Sequence, residues 1–250
     1  MSADEPDNPY ADFTFDLAMA HRIVTLGRRL ADRCEGIVQS GPFAGMRFDT
    51  AVADGCLLPK LLGCYEMELH PAIADAVRRE PEIVVNIGSA EGYYAVGLAR
   101  VLPAARIFAY DTDAMARERC GEVARANGVD GRVTVRDGIG PEDFAAFAGS
   151  RVFVLCDIDG GEYALLDPAR APALAGFDLL VETHPLGNPP AAEFAARFGQ
   201  SHDAEIIGPT ARDPDAFPLL ADLSPEDGML ALFERVEPTP WVYLRSRGRA

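Results

Sequence analysis

Residues 83–94 read Ile-Val-Val-Asn-Ile-Gly-Ser-Ala-Glu-Gly-Tyr-Tyr and join an apolar run to a turn that contains two glycines. The run 83–87 is rich in β-branched residues, as expected for a buried parallel strand. Gly88 and Gly92 lack side chains, so the backbone can turn tightly and let a ligand approach closely. A helical pattern follows directly. The stretch therefore predicts a strand, a turn and a helix whose N-terminal amides face a nucleotide-like ligand.

A second apolar run, 106–110, ends at an acid, Asp111. An acid at this point can accept hydrogen bonds from both hydroxyls of a ribose, so the two segments predict a nucleoside-binding half-site. A nicotinamide dinucleotide is the nearest rival, but its turn requires Gly-x-Gly-x-x-Gly. Here Ala90 stands at the middle position, and the charge of Glu91 would repel a pyrophosphate. An acidic turn suits a cationic nucleoside better.

From residue 82 onward, strand-like and helix-like segments alternate. The predicted strands are 82–87, 106–110, 132–136, 152–156 and 177–182. The predicted helices are 91–101, 113–127, 141–148, 161–168 and 189–198. Strands separated by helices imply right-handed βαβ units and a parallel sheet that is covered on both faces, an α/β fold.

The two ends of the chain follow other patterns. Segments 204–208 and 229–235 are strand-like and predict an antiparallel pair at one sheet edge, with 241–244 as a final short strand. At the other end, 1–12 is acidic and predicted to be disordered. The predicted organisation is an acidic tail and helical cap over 1–80, and an α/β domain over 81–250. Within the cap we expect a helix over 13–34, short strands in the turn-rich 36–54, and mainly helix over 57–80, interrupted by Gly63 and Pro71.

Composition limits the kinds of partner. The net charge of −16 repels polyanions and argues against sequence-independent nucleic-acid binding. No apolar run approaches the ~20 residues that span a bilayer, and the acidic N-terminus lacks the regions of a signal peptide. The five cysteines contain no Cys-x-x-Cys pair, which argues against a disulfide framework and a zinc ribbon. These features predict a cytoplasmic protein without membrane partners.

The turn at 88–92 and Asp111 resemble motif I and the second-strand acid of class I S-adenosylmethionine-dependent methyltransferases. The segment 156–162, Cys-Asp-Ile-Asp-Gly-Gly-Glu, and the acid and histidine in 180–185 are similar to those of the FkbM-like subgroup. The resemblance covers roughly 82–236, and the segment 63–66, Gly-Cys-Tyr-Glu, is similar to a Tyr-Glu segment that precedes motif I in such proteins. The first eighty residues otherwise match no recognised pattern. It implies a Rossmann-like, doubly wound sheet of seven strands, mostly parallel with an antiparallel last strand, plus an N-terminal helical extension.

The resemblance also implies S-adenosylmethionine as cofactor and a set of donor-binding residues. That set is Tyr65, Glu66, Asn86, Gly88, Ser89, Ala90, Glu91, Tyr93, Asp111, Asp137 and Asp157. Two roles have an equal alternative. Glu91 binds the donor's amino group or only starts the helix, where acids are favoured by the helix dipole. Asp137 contacts the adenine amino group or only forms the turn before Gly138.

The candidate catalytic residues are Asp157, Glu182 and His184, because ligands bind beyond the carboxyl ends of parallel strands. Methyl transfer to a hydroxyl requires removal of a proton, and an imidazole, with a pKa of about 6.5, suits a general base at neutral pH. Alternatively, His184 only caps its strand ahead of Pro185. Asp157 could act as the base if neighbouring carboxylates raise its pKa.

A divalent cation, such as Mg²⁺, is a second hypothesis for this region. Asp157, Asp159 and Glu182 are candidate ligands, since carboxylates bind hard cations, which lower the pKa of a substrate hydroxyl. Solvated acids without an ion are the alternative.

The sequence thus predicts a methyltransferase that acts on a hydroxyl of a small molecule or natural product by in-line transfer. Nitrogen acceptors stay open, as does a homodimer contact through the first helix. The rivals are an NAD-dependent Rossmann oxidoreductase and a non-catalytic S-adenosylmethionine-binding protein.

Overall fold

The computed structural model describes residues 9–48, 56–235 and 239–248, and within these ranges one sheet forms the centre of the molecule. Its strands are β1 (Ile83–Ile87), β2 (Arg106–Tyr110), β3 (Val133–Arg136), β4 (Val152–Cys156), β5 (Asp178–Glu182), β6 (His202–Ile207) and β7 (Trp241–Ser246). Their order is β3-β2-β1-β4-β5-β7-β6; β1 to β5 are parallel, and β7 is antiparallel to β5 and β6. The predicted seven-stranded sheet with an antiparallel last strand is confirmed.

Helices precede the sheet and connect its strands. They are α1 (Pro9–Cys34), α2 (Leu57–Leu62), α3 (His70–Arg78), α4 (Tyr93–Val101), α5 (Ala114–Ala126), α6 (Glu162–Leu165), α7 (Ala191–Ala196) and α8 (Pro225–Ala231). Six 3₁₀ helices accompany them in the described ranges: Met67–Leu69, Asp130–Arg132, Pro141–Phe147, Pro172–Gly176, Pro214–Ala216 and Pro218–Leu220.

The strand register sets where a ligand can bind. Ile87 of β1 pairs with Tyr110 of β2 and with Cys156 of β4, so these three strands end level. The turns that follow them therefore lie side by side at the carboxyl end of the sheet. The strand order continues from β1 through β2 on one side and through β4 on the other. This reversal is a topological switch point, which opens a crevice between the carboxyl ends of the strands.

Both faces of the sheet are buried, as the apolar strands predict. One face carries Val84, Ile107 and Phe153, covered by α3, α4, α5 and the segment 38–48. The opposite face carries Val85, Val154 and Val181, covered by the 3₁₀ helices at 141–147 and 172–176 with α6 and α7. The large apolar area removed from water on both faces stabilises the layered arrangement.

A third apolar cluster joins the two ends of the chain. Leu30 of α1 and Leu62 of α2 are fully buried, and they share this cluster with Leu220 and Leu232 from the segment between β6 and β7. The N-terminal helices therefore pack against the segment that precedes the last strand.

Some expectations about the two ends of the chain were wrong in detail. Segment 229–235 is not a strand: α8 runs to Ala231, with the Ser224 hydroxyl accepting a hydrogen bond from the Asp227 amide at 3.2 Å. The antiparallel edge pair is β6 with β7 instead. The helix α1 begins at Pro9, so 9–12 is helical, while 1–8 lies outside the described residues.

The expected short strands in the cap reduce to one isolated bridge between Ile37 and Arg47, and 49–55 lies outside the described residues. In the described parts of the chain, no helix has the length and apolar character needed to cross a membrane.

Candidate active site

A cavity of about 660 Å³ opens at the carboxyl ends of β1, β2, β4 and β5. It brings together eight of the residues predicted from the sequence: Gly88, Ala90, Asp111, Asp137, Asp157, Asp159, Glu182 and His184. A second cavity of about 740 Å³ lies within 210–233 and contains no predicted site residue. The crevice at the switch point is therefore the candidate active site.

The glycine turn has the tight geometry that the sequence predicts. Gly88 has a φ of 73°, and its amide donates to the Tyr110 carbonyl at 2.9 Å. A Cβ on Gly88 would overlap the Asp157 carbonyl oxygen and lie 2.8 Å from its carbon. Gly92, with a φ of 91°, precedes the first residue of α4. Glycine at position 88 is thus required by the close approach of the β1 and β4 turns.

Asp111 connects the ends of β1 and β2. Its Oδ2 accepts a hydrogen bond from the Ala90 amide at 2.8 Å, and its Oδ1 accepts one from the Asp113 amide at 2.9 Å. Asp113 in turn caps α5 through the Met115 amide. Each carboxylate oxygen has a second lone pair, so Asp111, which lines the cavity, can still accept from ribose hydroxyls.

Six predicted donor-binding residues are not among the described residues that line the cavity: Tyr65, Glu66, Asn86, Ser89, Glu91 and Tyr93. Glu91 is buried and forms an ion pair with Lys60, whose Nζ lies 4.8 Å from the centre of the Tyr65 ring. The Tyr93 ring is buried and packs edge-on against Phe43. Donor contacts by these residues stay predictions.

A small set of polar atoms next to the turn is buried without a hydrogen-bond partner among the described residues. They are both side-chain polar atoms of Asn86, Oγ of Ser89 and Oε2 of Glu91. Unpartnered buried polar groups are costly, so this set marks a place where water or a ligand would complete the bonding.

His184 is at the centre of an acidic cluster. Its Nε2 lies 3.4 Å from an Asp159 oxygen, 3.6 Å from a Glu182 oxygen and 3.8 Å from an Asp157 oxygen. Its Nδ1 lies 2.8 Å from Oε1 of Glu162. The three predicted catalytic residues therefore converge. Burial, together with the neighbouring Glu182 carboxylate, raises the pKa of Asp157 well above its usual range.

Sequence reasoning missed Arg235, which also lines the cavity. Its guanidinium forms ion pairs with Glu182 at the end of β5 and with Glu66 of the cap. The Tyr94 hydroxyl donates to the other oxygen of Glu66. Arg235 lay inside the segment predicted as a strand, so no motif pointed to it. It neutralises part of the acidic cluster and ties the cap to the sheet.

Burial raises the pKa of Glu66 to about 7, from an ordinary value near 4.5. Between these values the unfolded chain loses the proton and the folded chain keeps it, so the contribution of Glu66 to stability is greatest below about pH 4.5 and falls as pH rises to 7. One such group contributes a slope of up to ~1.4 kcal/mol per pH unit.

We therefore expect Glu66→Gln to reduce the fall in unfolding free energy between pH 5 and pH 7 by about 1 kcal/mol per pH unit. Urea unfolding of both proteins at several pH values measures this. Burial also raises the pKa of Glu234, to about 7, and that contribution is common to both proteins. If the unfolding free energies of the two proteins changed with pH in parallel, the raised pKa of Glu66 would be contradicted.

Comparison with known proteins gives fold-level similarity only. No protein-family model matches the chain, and no curated protein sequence matches it significantly. Among solved structures, it is similar to the O-methyltransferase TomG from Streptomyces achromogenes, which is involved in tomaymycin synthesis and was solved in complex with SAM. The identity is 16%, the TM-score is 0.51, and the alignment covers 81% of this chain and 92% of that one.

A precorrin-6y C5,15-methyltransferase from Geobacter metallireducens matches with 14% identity and a TM-score of 0.48, over 70% of this chain and 87% of that one. Together with the strand order, the TomG similarity shows that this chain has the Rossmann-like methyltransferase fold.

Proposed function

We propose that this protein is an S-adenosylmethionine-dependent methyltransferase of FkbM-like type that acts on a hydroxyl of a small molecule or natural product. One observation carries the proposal: Asp111 accepts a hydrogen bond from Ala90 of the glycine turn, on a cavity that also contains His184. The residues proposed to bind the nucleoside and the candidate base thus lie in one crevice. The cap, 1–80, would help to close it.

The proposed role of each residue depends on its position in the cavity. S-adenosylmethionine, when bound, supplies a methyl group on a sulfonium. Asp111 would hold the ribose, and Asp137 would bind the adenine amino group. His184 would accept the proton of the acceptor hydroxyl at Nε2, which aligns proton removal with the in-line displacement.

The charge of the cavity restricts the acceptor. Besides Asp157, whose raised pKa favours the protonated form, four lining residues are acids, Asp111, Asp137, Asp159 and Glu182, against one arginine. This surface favours a cationic donor and disfavours a phosphorylated or otherwise anionic acceptor. We therefore favour a neutral or amine-bearing acceptor over a nucleic acid.

Donor binding tests the first half of the proposal. We expect S-adenosylhomocysteine to bind, NAD not to bind, and Asp111→Asn to weaken S-adenosylhomocysteine about 100-fold. Asparagine keeps one acceptor oxygen, so about one hydrogen bond to a charged group is lost; such a bond contributes roughly 1.5–3 kcal/mol, and ~1.4 kcal/mol is a factor of ten. Isothermal titration calorimetry measures the three cases.

Asp143→Asn is the matched control, because Asp143 also accepts a backbone hydrogen bond, from the Gly140 amide at 2.7 Å, but does not line the cavity. Equal affinity in Asp111→Asn and wild type would remove the ribose role. Preferred binding of NAD would favour the oxidoreductase.

Transfer needs its own experiment, since a binding protein could keep the donor site. We expect labelled methyl from S-adenosylmethionine to appear on a member of a panel of hydroxylated acceptors. Donor binding with no transfer to hydroxyl or amine panels would favour the non-catalytic alternative.

A divalent cation is a second proposal for the acidic cluster. Donor atoms of Asp157, Glu182 and His184 lie within 4.8 Å of one another, and two carboxylates with an imidazole suit Mn²⁺ or Mg²⁺. Asp159, a predicted ligand, is outside this group, and its side chain is 93% exposed. An ion held there would supply a Lewis acid for the substrate hydroxyl.

If the cation is required, we expect treatment with EDTA to abolish methyl transfer and Mg²⁺ or Mn²⁺ to restore it. Full activity after EDTA, with no metal detected by elemental analysis, would remove this proposal and leave His184 as a base.

A further inference from the structure

Glu162, the first residue of α6, is a buried acid that the proposed mechanism does not use. Its side chain is fully inaccessible to solvent. Its two oxygens accept hydrogen bonds from the amides of Ile158, at 3.1 Å, and Gly160, at 3.0 and 3.2 Å. A third contact leaves this loop: Oε1 lies 2.8 Å from Nδ1 of His184. Glu162 therefore connects the turn after β4 to the histidine after β5.

The side chain of Asn188 supports the same connection through two backbone carbonyls. Nδ2 of Asn188 donates to the carbonyl of His184 at 3.0 Å and to the carbonyl of Gly160 at 3.1 Å. The two loops are thus joined on both sides of the imidazole, through Glu162 at the ring and Asn188 at the backbone. A ring held in this way has little freedom to flip.

We infer that Glu162 is the positioning residue of the site, which holds the His184 ring with a proton on Nδ1 and with Nε2 facing the cavity. A carboxylate that accepts backbone hydrogen bonds can only accept from the ring, so Nδ1 must be the donor. In the neutral ring, a proton on Nδ1 leaves the lone pair on Nε2. The catalytic consequence of this inference rests on the proposed function, whereas the ring geometry does not.

The same arrangement is needed in either proposed role of His184. As a base, the ring requires an unprotonated Nε2 beside the acceptor hydroxyl. As a metal ligand, it requires the same lone pair, and ligating histidines usually donate their other N–H to a carboxylate or carbonyl. The chain pairs its candidate base with an orienting acid from the neighbouring strand end.

His202 provides an internal reference with the opposite tautomer. Its Nε2 lies 2.7 Å from the Phe177 carbonyl oxygen, and its Nδ1 lies 2.9 Å from Oγ of Ser201. A carbonyl can only accept, so the proton of His202 is on Nε2. The two buried histidines should therefore give opposite patterns in the same spectrum.

The wild-type protein tests the geometry without any ligand. Two-bond ¹H–¹⁵N correlation spectra of ¹⁵N-histidine-labelled protein at pH 8 distinguish the two tautomers and the doubly protonated ring. His184→Gln identifies the signals of His184 among the four histidines. We expect Nδ1–H for His184 and Nε2–H for His202. A His184 ring without a proton on Nδ1, the Nε2–H tautomer, would overturn the inference.

Glu162→Gln then tests the consequence. Glutamine keeps the shape but loses the charge and one acceptor oxygen, so the signals of His184 should move towards a tautomer mixture. We expect kcat to fall about 10- to 100-fold while the affinity for S-adenosylhomocysteine changes less than threefold. Asp143→Asn, which also removes a backbone-bonded carboxylate, should leave the His184 signals and kcat unchanged. An unshifted His184 ring with wild-type kcat would overturn the positioning role.

The results separate the two proposals. If Glu162→Gln does not fold, the wild-type spectrum alone decides the geometry. A wild-type protein that shows the expected tautomers but binds no S-adenosylhomocysteine would overturn the proposed function and leave the Glu162–His184 geometry standing.

Discussion

Gly88→Ala should destabilise the protein by more than about 4 kcal/mol, or prevent folding, because it places a methyl group inside the backbone of a neighbouring turn. The added Cβ would overlap the carbonyl oxygen of Asp157, and backbone cannot move aside as a flexible side chain can. The φ of 73° adds strain for any residue with a side chain. Soluble yield and urea unfolding measure the effect.

Gly138→Ala is the matched control in the same cavity. Gly138 also lines it, but a Cβ there would meet no atom within 4 Å among the described residues. We expect this variant to unfold within ~0.5 kcal/mol of wild type, as most surface substitutions do. Two variants of similar stability would contradict the close approach of the β1 and β4 turns.

His184→Ala should lower the rate of methyl transfer about 10²- to 10⁴-fold, the usual contribution of a positioned acid or base. The affinity for S-adenosylhomocysteine should change little, since Asp111 and the glycine turn would hold the nucleoside. Single-turnover rates with labelled donor, measured from pH 6 to pH 9, test this once an acceptor is known.

His21→Ala is the control, because His21 is an exposed residue of α1. It should transfer methyl groups at the wild-type rate. If His184→Ala also did so across the whole pH range, His184 would not be the base.

The sequence predicted the parallel strands to within one residue at each end. Strands β1, β4 and β5 are buried on both faces, so each one is a continuous run of mainly apolar residues that can be recognised without knowledge of its neighbours. The C-terminal edge was harder, because 229–235 has apolar residues at spacings that suit either a strand or a short helix. The start signal at Ser224-Pro225 decides for the helix.

The site residues also fall into those that the sequence predicted and those that it did not. Gly88, Asp111, Asp157 and His184 follow strands within two residues, so recognising the strands was enough to place these residues at the carboxyl end of the sheet. Arg235 and Glu162 were not recognised as site residues. Arg235 belongs to no recognised motif, and its partner Glu66 lies 169 positions away along the chain. The contact of Glu162 with His184 links two different loops.

The chain by itself therefore determined the layered α/β fold, the turn that suits a nucleoside and the acids at the strand ends, because each of these is encoded by neighbouring residues. Only the tertiary structure decided the partners of those acids. Pairing between Glu66 and Arg235, between Glu162 and His184, and between Gly88 and the Asp157 carbonyl depends on strand register and loop packing. Local sequence does not specify distances between segments that lie far apart along the chain.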